Sequence, residues 1–265
     1  MKQITPMTRL MPGVVRVLTM RIAGDDRSDE AELSADERRR AAALATRLDR
    51  HRFVIRRVAL RRLVGHCCGM PAADVRFQYS PAGKPALTGG PAGFAFSVSH
   101  SHGVLLMAVA IAGERKKTLR LGVDVERLEP GIDAPGLAEA VFADEECAAL
   151  QCCDGEDQVA LFYRIWTCRE AVAKALGAGL RIEPNCLCIN ATCGGPAEVL
   201  RDGDRRPGDW ALRDIAIPQD ASGGSGAPGG EAPKFRAVLA VDDSSAAVEQ
   251  YSCVGLAGLA ELLAG

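Results

Sequence analysis

The chain has 265 residues, 48% hydrophobic and 25% charged, with a formal net charge of −2. That is an ordinary globular composition with ample material for a core, and it lacks the global basic field that recruits nucleic acid. No run approaches the roughly 18 apolar residues that a membrane helix needs, and the N-terminus MKQITPMTRLMPGVVRVLTMRIAGDD has no clean signal-peptide core.

Ten cysteines without a secretory context point to reduced thiols in a cytoplasmic chain. Cys186, Cys188 and Cys193 come nearest to a metal cluster. They lack C-x-x-C spacing, so they read as small buried hydrophobes rather than structural zinc ligands. Basic charge is local instead: ten arginines fall between Arg38 and Arg62, against the single acid Asp49.

In chain order, 14–23 reads as an opening strand and 33–69 as one helix. Ser34 is its expected N-cap, with Asp36 and Glu37 in the first turn where the helix dipole favours acids. Val54, Ile55, Val58, Leu63 and Val64 form its core face and the arginines the other, with Gly65 or Gly69 as the stop. Residues 75–80 alternate as a strand, 81–93 are turn-rich, and 94–113 are two strands split by a polar stretch. A basic hairpin tip is expected over 113–120, then a strand at 121–128 and helices over 137–153 and 157–177. Strands follow at 197–202, 209–217 and 235–243. The Gly/Ser/Pro-rich segment 219–233 reads as a flexible loop.

A faint echo between VLLMAVAIAG and FRAVLAVDD suits two similar α+β halves, with the division expected at 1–112 and 113–265. The chemistry gathers in three segments. In GVDVE (122–126), Asp124 and Glu126 share one strand face, since side chains two apart point the same way. They are either a polar surface edge or a pair waiting for a cation. On the helix through Trp166, Glu170 and Lys174 lie one turn apart beside the core stripe. They are either an exposed pair worth about 0.3–0.5 kcal/mol or a third carboxylate and a cation at a site. Three such oxygen donors with room for phosphate suit Mg²⁺. In SVSHSHG, Ser99 and His100 are either a polar turn or phosphate donors.

Taken together, the motifs resemble the Sfp-type 4′-phosphopantetheinyl transferase family. The matching residues are Ser99-His100-Ser101, Gly122-Val123-Asp124-Val125-Glu126 and Trp166-Thr167-Cys168-Arg169-Glu170-Ala171-Val172-Ala173-Lys174, with Gly83-Lys84-Pro85, His51-Arg52 and the helix of Glu146 in support. The pattern departs at Ser97, where Asn is frequent, at Arg169, where Lys is usual, and at Glu37, where Lys is frequent.

The resemblance implies an α+β fold of two halves related by a pseudo-twofold axis, with the active site between them. It implies transfer of the 4′-phosphopantetheine arm of coenzyme A to a serine of an apo acyl or peptidyl carrier protein, releasing 3′,5′-ADP. Asp124, Glu126 and Glu170 would hold Mg²⁺, and Glu170 would act as base, with Glu146 as the runner-up. Lys174 would neutralise pyrophosphate oxygens, while Ser99 and His100 would donate to phosphates. Arg52, and more weakly Arg40, would meet the 3′-phosphate; Lys84 and Pro85 would border the adenine. The basic segment Arg115, Lys116, Lys117 and Arg120, or the arginine helix, would steer an acidic carrier. The expected partners are coenzyme A and the carrier, without nucleic acid or membrane, and the expected state is a monomer. A metal-dependent phosphohydrolase or a non-catalytic coenzyme A or carrier-binding module are the competing readings.

Overall fold

The computed structural model describes residues 7, 10–24, 26, 30–113, 116–179, 182–192, 195–203, 210–218 and 234–264. The expected flexible loop at 219–233, Arg115 of the expected basic tip and Cys193 lie outside these described residues. The chain is a mixed α+β protein whose contacts divide it into two compact units. One holds 1–80, 85–118 and 247–265; the other holds 81–84 and 119–246.

The first unit opens with strand β1 (Val14–Arg21) and then helices α1 (Ala35–Ala42) and α2 (Arg47–Cys68). The single expected helix is therefore two. Thr46 restarts the chain by accepting a hydrogen bond from Asp49 N, which makes it the N-cap of a fresh helix. Ser34 caps α1 as expected, and Glu37 returns a side-chain bond to Ser34 N in a capping box. The stop is Gly69, in the left-handed conformation at φ 67°. Gly65 lies inside α2, where a Cβ would stand 2.6 Å from Met70 O.

Strands β2 (Phe77–Tyr79) and β3 (Pro85–Leu87) form a small antiparallel ribbon, followed by β4 (Phe94–Ser101) and β5 (Val104–Ile111). In the second unit, β6 (Leu121–Arg127) leads to α3 (Ala134–Val141), α4 (Asp144–Gln151) and α5 (Gly155–Leu176). Here too one expected helix, 137–153, is two. Phe142 and Ala143 break it with extended backbone, and α4 starts afresh with three acids in its first turn. Next come β7 (Leu187–Asn190), β8 (Glu198–Asp202), β9 (Ala211–Asp214) and β10 (Phe235–Val241). The chain then returns to the first unit with β11 (Ala247–Val254) and α6 (Gly255–Leu263).

The sheet of the first unit runs β11-β1-β5-β4, with β11 parallel to β1 and the other pairs antiparallel. Its apolar side, including Leu18, Met20, Leu105 and Met107, packs with Ile55, Val58 and Leu63 of α2 and Leu256 and Leu259 of α6. Arg61 is an exception to the expected polar arginine face, being 1% exposed within α2. The sheet of the second unit runs β6-β10-β9, and its core joins Val238 and Ala240 to Phe162, Ile165, Cys168 and Val172 of α5. Because β5 and β6 pair in different sheets, 113–120 connects two sheets instead of closing a hairpin.

Candidate active site

Backbone packing between β6 and α5 determines where the acidic groups meet. A Cβ built on Gly122 would fall 1.9 Å from Ala171 O and 2.6 Å from Ala175 N. Only a residue without a side chain lets the strand lie this close to the helix. Two residues on, Asp124 is buried, and its Oδ1 accepts a 2.6 Å hydrogen bond from Lys174 Nζ on α5. Glu126 follows on the same strand face and pairs in register opposite Arg236 of β10.

Trp166, Glu170 and Lys174 are all half-buried beside the core stripe of α5, as the helical spacing predicts. The Glu170 carboxyl is pushed above the ordinary carboxylate range. Its burial is the main cause, the negative charges of Asp124 and then Glu126 add to it, and Lys174 opposes. The three carboxylates thus share one electrostatic environment. Beside Glu170 lies a groove of about 640 Å³, walled by Trp166, Arg169, Val141, Pro184 and Leu187. The Trp166 ring stacks on Phe162 with 6.4 Å between centroids and 6° between planes.

Among the described residues, no three His, Cys, Asp or Glu side chains are gathered tightly enough to hold a metal ion as they stand. The Lys174 ammonium supplies positive charge to Asp124 instead. The donor chemistry still fits a hard divalent cation. The donors are carboxylate oxygens on facing elements, mutually repelling, with a cationic group already drawn among them.

Glu146 sits apart from this face. Its carboxylate is 1% exposed and accepts from Ala143 N, Ile189 N and Arg169 Nη1, each at 2.7 Å. Arg169 in turn donates to Leu187 O at 2.5 Å and Pro184 O at 3.1 Å. A carboxylate so fully engaged anchors α4, α5 and the 184–189 segment. The Arg169 departure is explained the same way, since a planar fork reaches three acceptors where an ammonium is a point charge. Sequence reasoning missed this clamp; the available signal was an arginine within the buried stripe of α5.

Of the other expected site residues, Arg40, Arg52, Pro85, Ser99 and His100 belong to the first unit and Lys84 to the second. Arg40 is exposed, with its guanidinium 5.1 Å from the centre of the Tyr79 ring. Arg52 is half-buried on α2. Four residues on, Arg56 is also partly buried; its pKa is lowered by burial and then by the charge of Arg52. Ser99 and His100 are consecutive in β4, so their side chains leave opposite faces. Ser99 is buried and His100 exposed, and the strand does not bring the two side chains together. Pro85 opens β3 opposite Tyr79. The Glu37 departure is structural: its buried carboxylate accepts from Arg57 Nε and Arg61 Nε, each at 2.7 Å.

Residues 120–223 match the model of the 4′-phosphopantetheinyl transferase superfamily. This segment contains β6 and α5 and therefore all four residues of the carboxylate face. The chain is 36% identical over 152 residues to 4′-phosphopantetheinyl transferase HetI of Nostoc, covering 57% of this chain and 62% of that one. It is 27% identical over 183 residues to a 4′-phosphopantetheinyl transferase of Bacillus subtilis, covering 68% and 77%. The match thus spans about three-fifths of the HetI length. These relationships bear out the resemblance carried by the motifs: the chain is related to 4′-phosphopantetheinyl transferases.

Proposed function

We propose that the protein transfers the 4′-phosphopantetheine arm of coenzyme A to a serine hydroxyl of an apo acyl or peptidyl carrier protein. The observation that carries this reading is the Gly122 contact. It sets Asp124 and Glu126 against Glu170 and Lys174 within the segment that matches the superfamily.

The serine oxygen forms a new bond to the phosphorus that bears the pantetheine, and the bond from that phosphorus to the bridging oxygen breaks. The electron pair leaves with 3′,5′-ADP. Glu170 takes the serine proton, a role suited to a carboxylate held above its ordinary pKa. Asp124, Glu126 and Glu170 would hold Mg²⁺, which when bound draws off charge from the pyrophosphate oxygens. Lys174, released from Asp124, neutralises the remaining phosphate charge. Arg52, with Arg40, meets the 3′-phosphate, and Ser99 and His100 serve the phosphates. The backbone at Lys84 and Pro85 borders the adenine. The basic residues Lys116, Lys117 and Arg120 steer an acidic carrier.

The two similar α+β halves, the cytoplasmic setting and the monomeric state belong to the same reading. Among the described residues no helix is long and apolar enough to cross a membrane. The test is the intact mass of a panel of apo carriers incubated with protein, coenzyme A and Mg²⁺, with and without EDTA. A gain of one phosphopantetheine arm that EDTA abolishes supports the proposal. Release of inorganic phosphate without a carrier points to the phosphohydrolase, and bound coenzyme A with unchanged carriers to the binding module.

A further inference from the structure

The end of a helix and the edge of a sheet both carry backbone carbonyls without a partner in their own element. At the end of α5, Gly177 N donates to Ala173 O and Lys174 O, which leaves Ala175 O to another donor. At the start of β6, an edge strand of its sheet, Leu121 O faces the same place. One ammonium meets both: Lys84 Nζ donates to Ala175 O at 2.9 Å and to Leu121 O at 3.2 Å. The lysine stem passes over Gly177, where an added Cβ would stand 3.3 Å from Lys84 Cδ.

The two carbonyls flank the candidate site. Ala175 follows Lys174 directly, and Leu121 lies three residues before Asp124 on β6. We propose that the Lys84 side chain is a positioning residue: it fastens the end of α5 to the start of β6 and so sets Glu170 and Lys174 in register with Asp124 and Glu126. The inference rests on the transferase reading and deepens it, because it gives the ammonium work separate from bordering the adenine. A turn lysine reaching for a ligand would hold its ammonium in solvent. Here burial, helped by nearby Arg120 and opposed by Asp242, lowers its pKa to about 8.

The test is steady-state transfer by Lys84→Met, which keeps the stem and removes the donor. The expected result is a kcat at least tenfold lower with KM for coenzyme A within twofold of wild type. A raised KM for coenzyme A at unchanged kcat makes the side chain a ligand contact and overturns the proposal, as does a variant with neither constant changed. If Lys84→Met does not fold, Lys84→Gln is read by the same split, with the same outcomes deciding. A wild type that transfers nothing overturns the transferase reading and this inference with it. A wild type that turns over beside an unaffected variant overturns this inference alone.

Discussion

Lys174 Nζ lies 2.6 Å from Asp124 Oδ1, joining the last turn of α5 to the middle of β6. Asp124 is almost fully buried while Lys174 is partly exposed. Removing the lysine strands a carboxylate in the core, whereas removing both charges does not. Lys174→Met is expected to lower stability by about 1–3 kcal/mol. Asp124→Asn with Lys174→Met is expected to recover most of that loss, measured by urea unfolding. Both variants lose transfer, since each lacks groups the reaction uses.

Gly122→Ala tests the close approach itself. The new methyl would overlap Ala171 O, and a backbone carbonyl at the centre of a helix has nowhere to go. The strand must move outward, costing about 3 kcal/mol as overpacking and drawing Asp124 away from Glu170. Urea melts and carrier mass are expected to show lower stability and lost transfer together.

The Arg169–Glu146 clamp makes a different prediction. Glu146→Ala leaves the Arg169 guanidinium buried without its carboxylate, and about 3–5 kcal/mol of stability is expected to go. Glu146→Gln keeps an acceptor for only one of the two backbone amides, since Ala143 N and Ile189 N donate to different oxygens, but it preserves the side-chain volume and is expected to keep measurable turnover. A folded Glu146→Gln variant with no turnover at all would instead make Glu146 the base.

Glu37 links the first unit to pH. Burial alone would raise its pKa, but the Ser34 amide and the guanidiniums of Arg57 and Arg61 outweigh this and hold it below its ordinary 4.5. A depressed carboxylate contributes stability above its unfolded pKa and loses it as pH falls through the folded value. Stability is therefore expected to decline below pH 4.5, measured by urea melts at stepped pH. Glu37→Gln should be less stable at neutral pH and should flatten that part of the acid decline.

Much of the site was legible because it depends on local periodicity. Alternation placed Asp124 and Glu126 on one face, and helical spacing placed Trp166, Glu170 and Lys174 together. What sequence did not disclose depends on distant chain. The segment Ala247–Val254 carries Glu249, Gln250 and Tyr251 and lacks a clear apolar alternation, yet it forms β11 by pairing in parallel with β1, more than 200 residues earlier. The two helix breaks were hidden as well. Thr46 and Ala143 sit in otherwise continuous helical patterns, and only packing reveals that the chain turns there. Arg169 stands out in the sequence only as a departure from the usual Lys, and its three acceptors lie on chain that the motif does not include. Ser99 and His100 allow a polar turn in the sequence, but both lie in the regular strand β4, with Ser99 buried and His100 exposed.

The most direct measurement compares wild type with Glu170→Gln on one apo carrier, reading intact carrier mass over time beside coenzyme A binding by calorimetry. The account predicts that wild type adds one phosphopantetheine arm in the presence of Mg²⁺. The variant should bind coenzyme A within about tenfold of wild type while its transfer rate falls by at least a thousandfold. Near-normal transfer by Glu170→Gln would contradict the account, because neither a base nor a metal-holding carboxylate at that position would then be needed.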